Sequence, residues 1–87
     1  MARVFVPVAV RSLIGGREMI EVDGRNVREL IDHLDAQFPG VKDRFCQGDQ
    51  LTPGVAVSVG GSVSALGLLQ PVDSDSEVHF LPAIGGG

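Results

Sequence analysis

The 87-residue sequence has one cysteine, Cys46, one lysine, Lys42, and no apolar run of the roughly 18 residues or more that a membrane-spanning helix needs. A single cysteine cannot close an internal disulfide and cannot alone hold a structural zinc ion or an iron–sulfur cluster. The expected setting is therefore reducing and intracellular, with no bound metal. Residues 4–10 are apolar but too few to span a bilayer, and Arg11 follows them without a small-residue cleavage site. A cytoplasmic chain with no membrane partner is expected. Positive charge is scarce as well. Seven basic against eleven acidic residues give a net charge of -4, which repels a phosphate backbone instead of releasing its counterions. Nucleic acid is not expected as a partner.

Several chemical signatures are also missing. Lys42 follows Val41, so no G-x-x-x-x-G-K phosphate loop exists and the chain should not hydrolyse ATP alone. Asp73, Asp75 and Glu77 mimic the start of a calcium loop, but Val78 stands where glycine is needed and Ile84 where glutamate is needed. A solvated turn is the better reading. His33 and His79 are remote in sequence from each other and from Cys46, and they read as ordinary histidines, not as half of a Cys–His pair. Asp32 and Asp35 read as surface charges on the polar face of a helix.

Apolar patterning is plentiful, with 44% hydrophobic residues, the share of a folded globule. Val4, Val6, Val8 and Val10 alternate with Phe5, Pro7 and Ala9, which predicts a strand despite Pro7, whose missing N–H breaks a ladder. Gly15 and Gly16 suit a turn, and residues 19–22 a second strand that makes a hairpin with the first. Asn26 and Glu29 have near-capping-box spacing, so a helix should begin at Val27 and end at Pro39-Gly40. Val27, Leu30, Ile31, Leu34 and Phe38 form its apolar stripe. Residues 41–46 suit one helical turn and residues 48–54 a loop. A strand through Val55, Val57 and Val59, a short return at Val63, a helical turn at 66–69 and a last strand at 78–81 complete the order.

Such an order in so short a chain predicts an α+β domain with one main helix on a mixed sheet and the last strand beside the first. Val4, Val6, Val8, Ile20, Val22, Val57, Val78 and Phe80 are then expected to face Leu30, Ile31, Leu34 and Phe38.

Glycine is abundant, at twelve residues, and the last three are Gly85, Gly86 and Gly87. At the chain's own glycine frequency such a triplet arises by chance at a given place only roughly 0.3% of the time, so a use for it is sought. Residues without Cβ can thread a narrow channel and present a main-chain carboxylate with little hindrance. That carboxylate, with a pKa near 3.5, is ionised and a poor electrophile until activated from outside. Transfer of AMP to Gly87 would supply a leaving group, and attack by sulfide, or by a persulfide whose S–S bond a thiol then cleaves, would leave a thiocarboxylate.

These residues carry a resemblance that spans the chain. Arg3-Val4-Phe5-Val6 with Val10-Arg11-Ser12-Leu13 and Gly15-Gly16, then Asn26-Val27-x-Glu29-Leu30-Ile31-x-x-Leu34 with Phe38-Pro39-Gly40, precede the specific ending Asp75-Ser76-Glu77-Val78-His79-Phe80-Leu81-Pro82-Ala83-Ile84 and glycine. The chain resembles the ThiS/MoaD family of ubiquitin-like sulfur carriers, closest to its MoaD-like and cysteine-biosynthesis groups. The resemblance implies a β-grasp domain over residues 1–81 and an extended tail over 82–87 that holds Ile84, Gly85 and the functional pair Gly86-Gly87. Fully extended, that tail would reach about 20 Å.

The resemblance further implies a carrier with no catalytic residues and no tightly bound cofactor, whose partner adenylyltransferase, related to ubiquitin-activating enzymes, uses ATP and Mg. A sulfur-accepting biosynthetic enzyme would be the second partner, in cysteine or molybdopterin synthesis, where the chain could be the small subunit of molybdopterin synthase. Strand alternation turns Phe5, Pro7, His79 and Leu81 outward, and Phe5, Pro7 and Leu81 are the expected docking patch at the root of the tail. Two other roles remain open: a ubiquitin-like modifier joined to target lysines, and a β-grasp interaction module without C-terminal chemistry.

Overall fold

The computed structural model describes residues 1–82. Alternation shapes the first strand, β1 (Ala2–Phe5), in which Ala2 and Val4 are buried while Arg3 is exposed and Phe5 half-buried. β1 pairs antiparallel with β2 (Met19–Val22), placing Val4 opposite Ile20. On its other side it pairs parallel with β7 (Glu77–Pro82), placing Val4 beside Val78. The last strand thus lies beside the first, as the sequence predicts.

The expected strand over residues 4–10 stops early. Pro7, with φ of -60° and no N–H to give to a ladder, precedes a 3-10 helix over Val8–Ile14. Its first bond runs from the Val10 N–H to the Pro7 carbonyl at 2.9 Å, and Gly15, at φ of 71°, closes it. With about three residues per turn, the helix abolishes the period-two pattern of the valines. Val10 and Ile14 turn inward, whereas Val8, expected in the core, is 74% exposed.

Helix α1 (Val27–Gln37) starts where the sequence places it. The Asn26 side chain accepts the Glu29 N–H at 2.9 Å, and the Glu29 carboxylate accepts the Arg25 N–H at 3.1 Å, one residue before the cap. The Val27 N–H, which no helical carbonyl can reach, is taken by the Gln70 carbonyl at 3.0 Å. Val27, Leu30, Ile31 and Leu34 are fully buried, and Phe38 is partly buried beside the core. Asp35 then accepts the N–H groups of Gly40 and Lys42, at 3.1 and 3.0 Å, setting the short helix α2 (Val41–Phe45) against α1. From α2 the buried Phe45 stacks on Phe80 of β7, ring centres 4.2 Å apart.

Residues 48–54, expected as loop, contribute instead to a small hairpin of β3 (Cys46–Gln47) and β4 (Gln50–Leu51) turned by Gly48 at φ of 66°. β5 (Val55–Val59) pairs antiparallel with β7 and, through Gly60-Gly61, with β6 (Ser62–Val63). Both turn glycines have positive φ, the requirement of a two-residue hairpin loop. A second 3-10 turn covers Gly67–Leu69. The five-stranded order β2-β1-β7-β5-β6, with its parallel central pair and α1 across one face, is a β-grasp, ubiquitin-like fold.

Burial decides its stability. Each large apolar side chain in this core contributes about 1.5 to 3 kcal/mol. The side-chain ion pairs Arg3–Glu77, Arg25–Glu29, Arg28–Asp49 and Lys42–Asp32 lie at the surface, where such pairs contribute at most about 1 kcal/mol.

Candidate functional site

β7 occupies the centre of the sheet and carries the chain out at its end. Alternation along β7 sends Val78 and Phe80 into the core and leaves His79 and Leu81 on the opposite face. The parallel register sets His79 beside Phe5, and the two rings stack with centres 4.3 Å apart and planes 3° from parallel. Across β5, Leu81 faces Ala56.

Because the chain turns into a 3-10 helix after Pro7, it brings Val8 and Ala9 to this same corner. Phe5, Pro7, Val8, Ala9, Arg11, His79 and Leu81 line an open depression of about 460 Å³. A second depression of about 250 Å³ shares Pro7, Ala9 and Leu81 with it and adds Val10, Arg44, Phe45 and Val55. Leu81 and Val8 are 37% and 74% exposed and adjoin in one apolar patch, the kind of surface that marks interaction sites. Arg11 is fixed beside the first depression, its Nε donating to the Val6 carbonyl at 2.9 Å.

The structure therefore gathers Phe5, Pro7 and Leu81, the three residues expected to form one patch, and adds Val8, Ala9, Arg11 and Arg44. Alternation alone could not find the additions, since Val8 and Ala9 depend on the break at Pro7 and Arg44 comes from α2. Ile84, Gly85, Gly86 and Gly87 lie outside the described residues.

Elsewhere the chemically versatile residues have local duties. Cys46 is half-buried, and that burial pushes its thiol above its ordinary range. The charges acting on it come from Lys42, Asp32, Arg28 and Asp35, and neither histidine is among them. His33 is hydrogen-bonded through Nδ1 to the Asp23 carbonyl. The Lys42 ammonium lies 2.9 Å from Asp32, whose hydrogen bond and charge raise its pKa. Asp75 adopts φ of 68° and donates its N–H to the Met1 carbonyl, and one Glu77 oxygen faces Arg3 at 3.4 Å, so two of the three acids that imitate a calcium loop serve the turn and strand. Among the described residues no three His, Cys, Asp or Glu side chains converge as a metal site, and no helix is long and apolar enough to cross a membrane.

The model of the ThiS family matches residues 4–87. The chain belongs to the ThiS family. No curated protein matches it by sequence, but solved structures do by shape. A chain of the Amycolatopsis orientalis BexX/CysO complex superposes with a TM-score of 0.91 at 28% identity, covering 100% of both chains. CysO of Mycobacterium tuberculosis gives 0.88 at 22% identity over 97% of this chain and 100% of its own. Urm1 of Trypanosoma brucei gives 0.71 at 20% identity over 99% and 94%. The ThiS-family fold thus accounts for the position of β7, a central strand that ends at Pro82 near an apolar corner.

Proposed function

We propose that this ThiS-family protein is a sulfur carrier that works through the main-chain carboxylate of Gly87, with residues 1–81 as the folded handle and 82–87 as an extended arm. The carboxylate attacks the α-phosphate of ATP in a partner adenylyltransferase, and pyrophosphate leaves. Sulfide then attacks the acyl carbon of the adenylate, AMP leaves with the electron pair of the broken bond, and a thiocarboxylate remains. A sulfur-accepting biosynthetic enzyme takes the sulfur from there. ATP and Mg belong to the activating partner, and the carrier supplies the acyl group and the docking face.

The observation that carries this reading is the exposed corner of Phe5, Pro7, Val8 and Leu81 at the end of β7. An apolar surface placed where the arm leaves the globule lets one contact hold the domain while the arm enters a cleft. That a 28% identical chain comes from a BexX/CysO complex supports docking to a protein partner. Membership of the ThiS family and likeness to a chain of a BexX/CysO complex support a place among the cysteine-biosynthesis or MoaD-like carriers.

The test is intact-mass measurement after incubation with candidate adenylyltransferases, ATP, Mg and sulfide. Replacement of one oxygen of Gly87 by sulfur, absent when Gly87 is deleted, is the expected result. Failure to form adenylate or thiocarboxylate with a confirmed Gly87 terminus overturns the reading.

A further inference from the structure

We propose that Arg11 and Arg44 form a cationic rim that selects an acidic surface on the activating partner and orients the carrier as it docks, an inference that rests on the carrier reading above. The chain as a whole carries a net charge of -4, yet among the described residues no carboxylate lines either depression beside the end of β7. Their charged lining residues are Arg11 and Arg44, with the ionisable His79 between strands. Charge is thus segregated: this apolar corner is lined by no acid among the described residues, although acidic residues outnumber basic ones in the chain.

The two arginines differ from most others in the chain. Arg3, Arg25 and Arg28 face Glu77, Glu29 and Asp49, whereas Arg11 and Arg44 have no ion-pair partner among the described residues. One lines each depression, and Pro7, Ala9 and Leu81 belong to both, so each arginine adjoins the shared apolar contact. Arg11 is already held by its bond to the Val6 carbonyl, so its remaining N–H groups lose little freedom on meeting a carboxylate. An acidic partner repels a chain of net negative charge in most approaches and attracts it through this corner. Rim charges act in this way on encounter and register more than on final affinity.

The test measures AMP transfer to the full chain as carrier concentration and salt are varied, using Arg44→Glu, Arg11→Gln and the double variant. Arg17→Glu serves as a control, because Arg17 is exposed, also without an ion-pair partner among the described residues, and absent from both depressions. We expect the KM for the carrier to rise roughly tenfold in Arg44→Glu with kcat unchanged, and its salt dependence to flatten, while Arg17→Glu stays near the unaltered chain. Circular dichroism checks the fold of Arg11→Gln, which loses the Val6 bond, and Arg44→Glu decides the matter if that variant unfolds. An unchanged carrier KM, an equal effect in Arg17→Glu, or a change in the KM for ATP instead overturns the rim. Adenylation of the unaltered chain with indifferent variants sinks this inference alone, whereas no adenylation of the unaltered chain sinks the carrier reading and the rim together.

Discussion

The imidazole of His79 lies flat on the ring of Phe5, 4.3 Å between centres and 3° from parallel, joining the two central strands on the face away from the helix. Its Nε2 also stands 3.4 Å from Glu77, whose other oxygen meets Arg3. The pair thus forms a floor beside Leu81 and Val8, held by stacking and by the Glu77 contact at one edge. A stack of this kind is worth about 0.5 to 1.5 kcal/mol beyond its area. A double-mutant cycle of Phe5→Ala and His79→Ala in urea unfolding should return a coupling of about 1 kcal/mol, and strict additivity would mean that the rings merely touch.

Leu81 lines both apolar depressions and is only partly covered. Leu81→Asp should abolish adenylation while the chain stays folded, because Leu81 lies on the face of β7 away from the core. Normal adenylation of this variant would refute the docking corner.

Phe45 presents the opposite case, since it is 1% exposed and stacks on Phe80. Phe45→Ala should cost about 3 to 5 kcal/mol, much of the roughly 5 to 15 kcal/mol that holds a small domain together. Denaturant unfolding is the measurement; a loss under about 1 kcal/mol would show that α2 is dispensable for the core.

Gly24 tests the entry to α1. A Cβ there would stand 2.9 Å from the Leu30 backbone nitrogen and 2.8 Å from Leu30 Cδ2, closer than real contacts allow. Backbone cannot yield cheaply, so Gly24→Ala should destabilise by more than Asn26→Ala, which removes only a cap worth about 1 kcal/mol. Comparing the two midpoints decides this, and equal losses would show that the helix start shifts freely.

Cys46 gives a pH dependence. Burial raises its thiol pKa above the ordinary range in the folded state, so the folded chain holds that proton more tightly than the unfolded one. Stability is complete below the unfolded thiol pKa and falls as pH rises through it toward the folded value. Cys46→Ala should reduce that alkaline loss, and native Cys46 should react slowly with iodoacetamide at neutral pH. Rapid alkylation of folded protein at pH 7 would contradict the buried-thiol picture.

How far the sequence disclosed this structure depends on the length of each pattern. The stripe from Val27 to Phe38 and the Asn26 cap extend over enough turns to locate α1 correctly, and alternation located β2, β5 and β7. The valines from Val4 to Val10 misled because an apolar residue at every second position continues through Pro7, where the backbone changes to three residues per turn. Two-residue strands such as Cys46–Gln47 are too short to show any period. Phe45 was illegible as core for the same reason, its helix having five residues. In the candidate site, Phe5 and Leu81 could be read from strand alternation, but the nearness of Arg11 to one hollow and Arg44 to the other is a tertiary fact.

The placement of β7 has a mechanical consequence. Its neighbours β1 and β5 bond to it from both sides, with hydrogen bonds running across the strand direction. A pull on the segment after Pro82 loads both ladders in shear, so many bonds must yield together instead of opening one at a time. The strand from which the C-terminal segment continues is therefore also its anchor, and a machine tugging on that end would have to break the sheet at its middle before it could thread the chain.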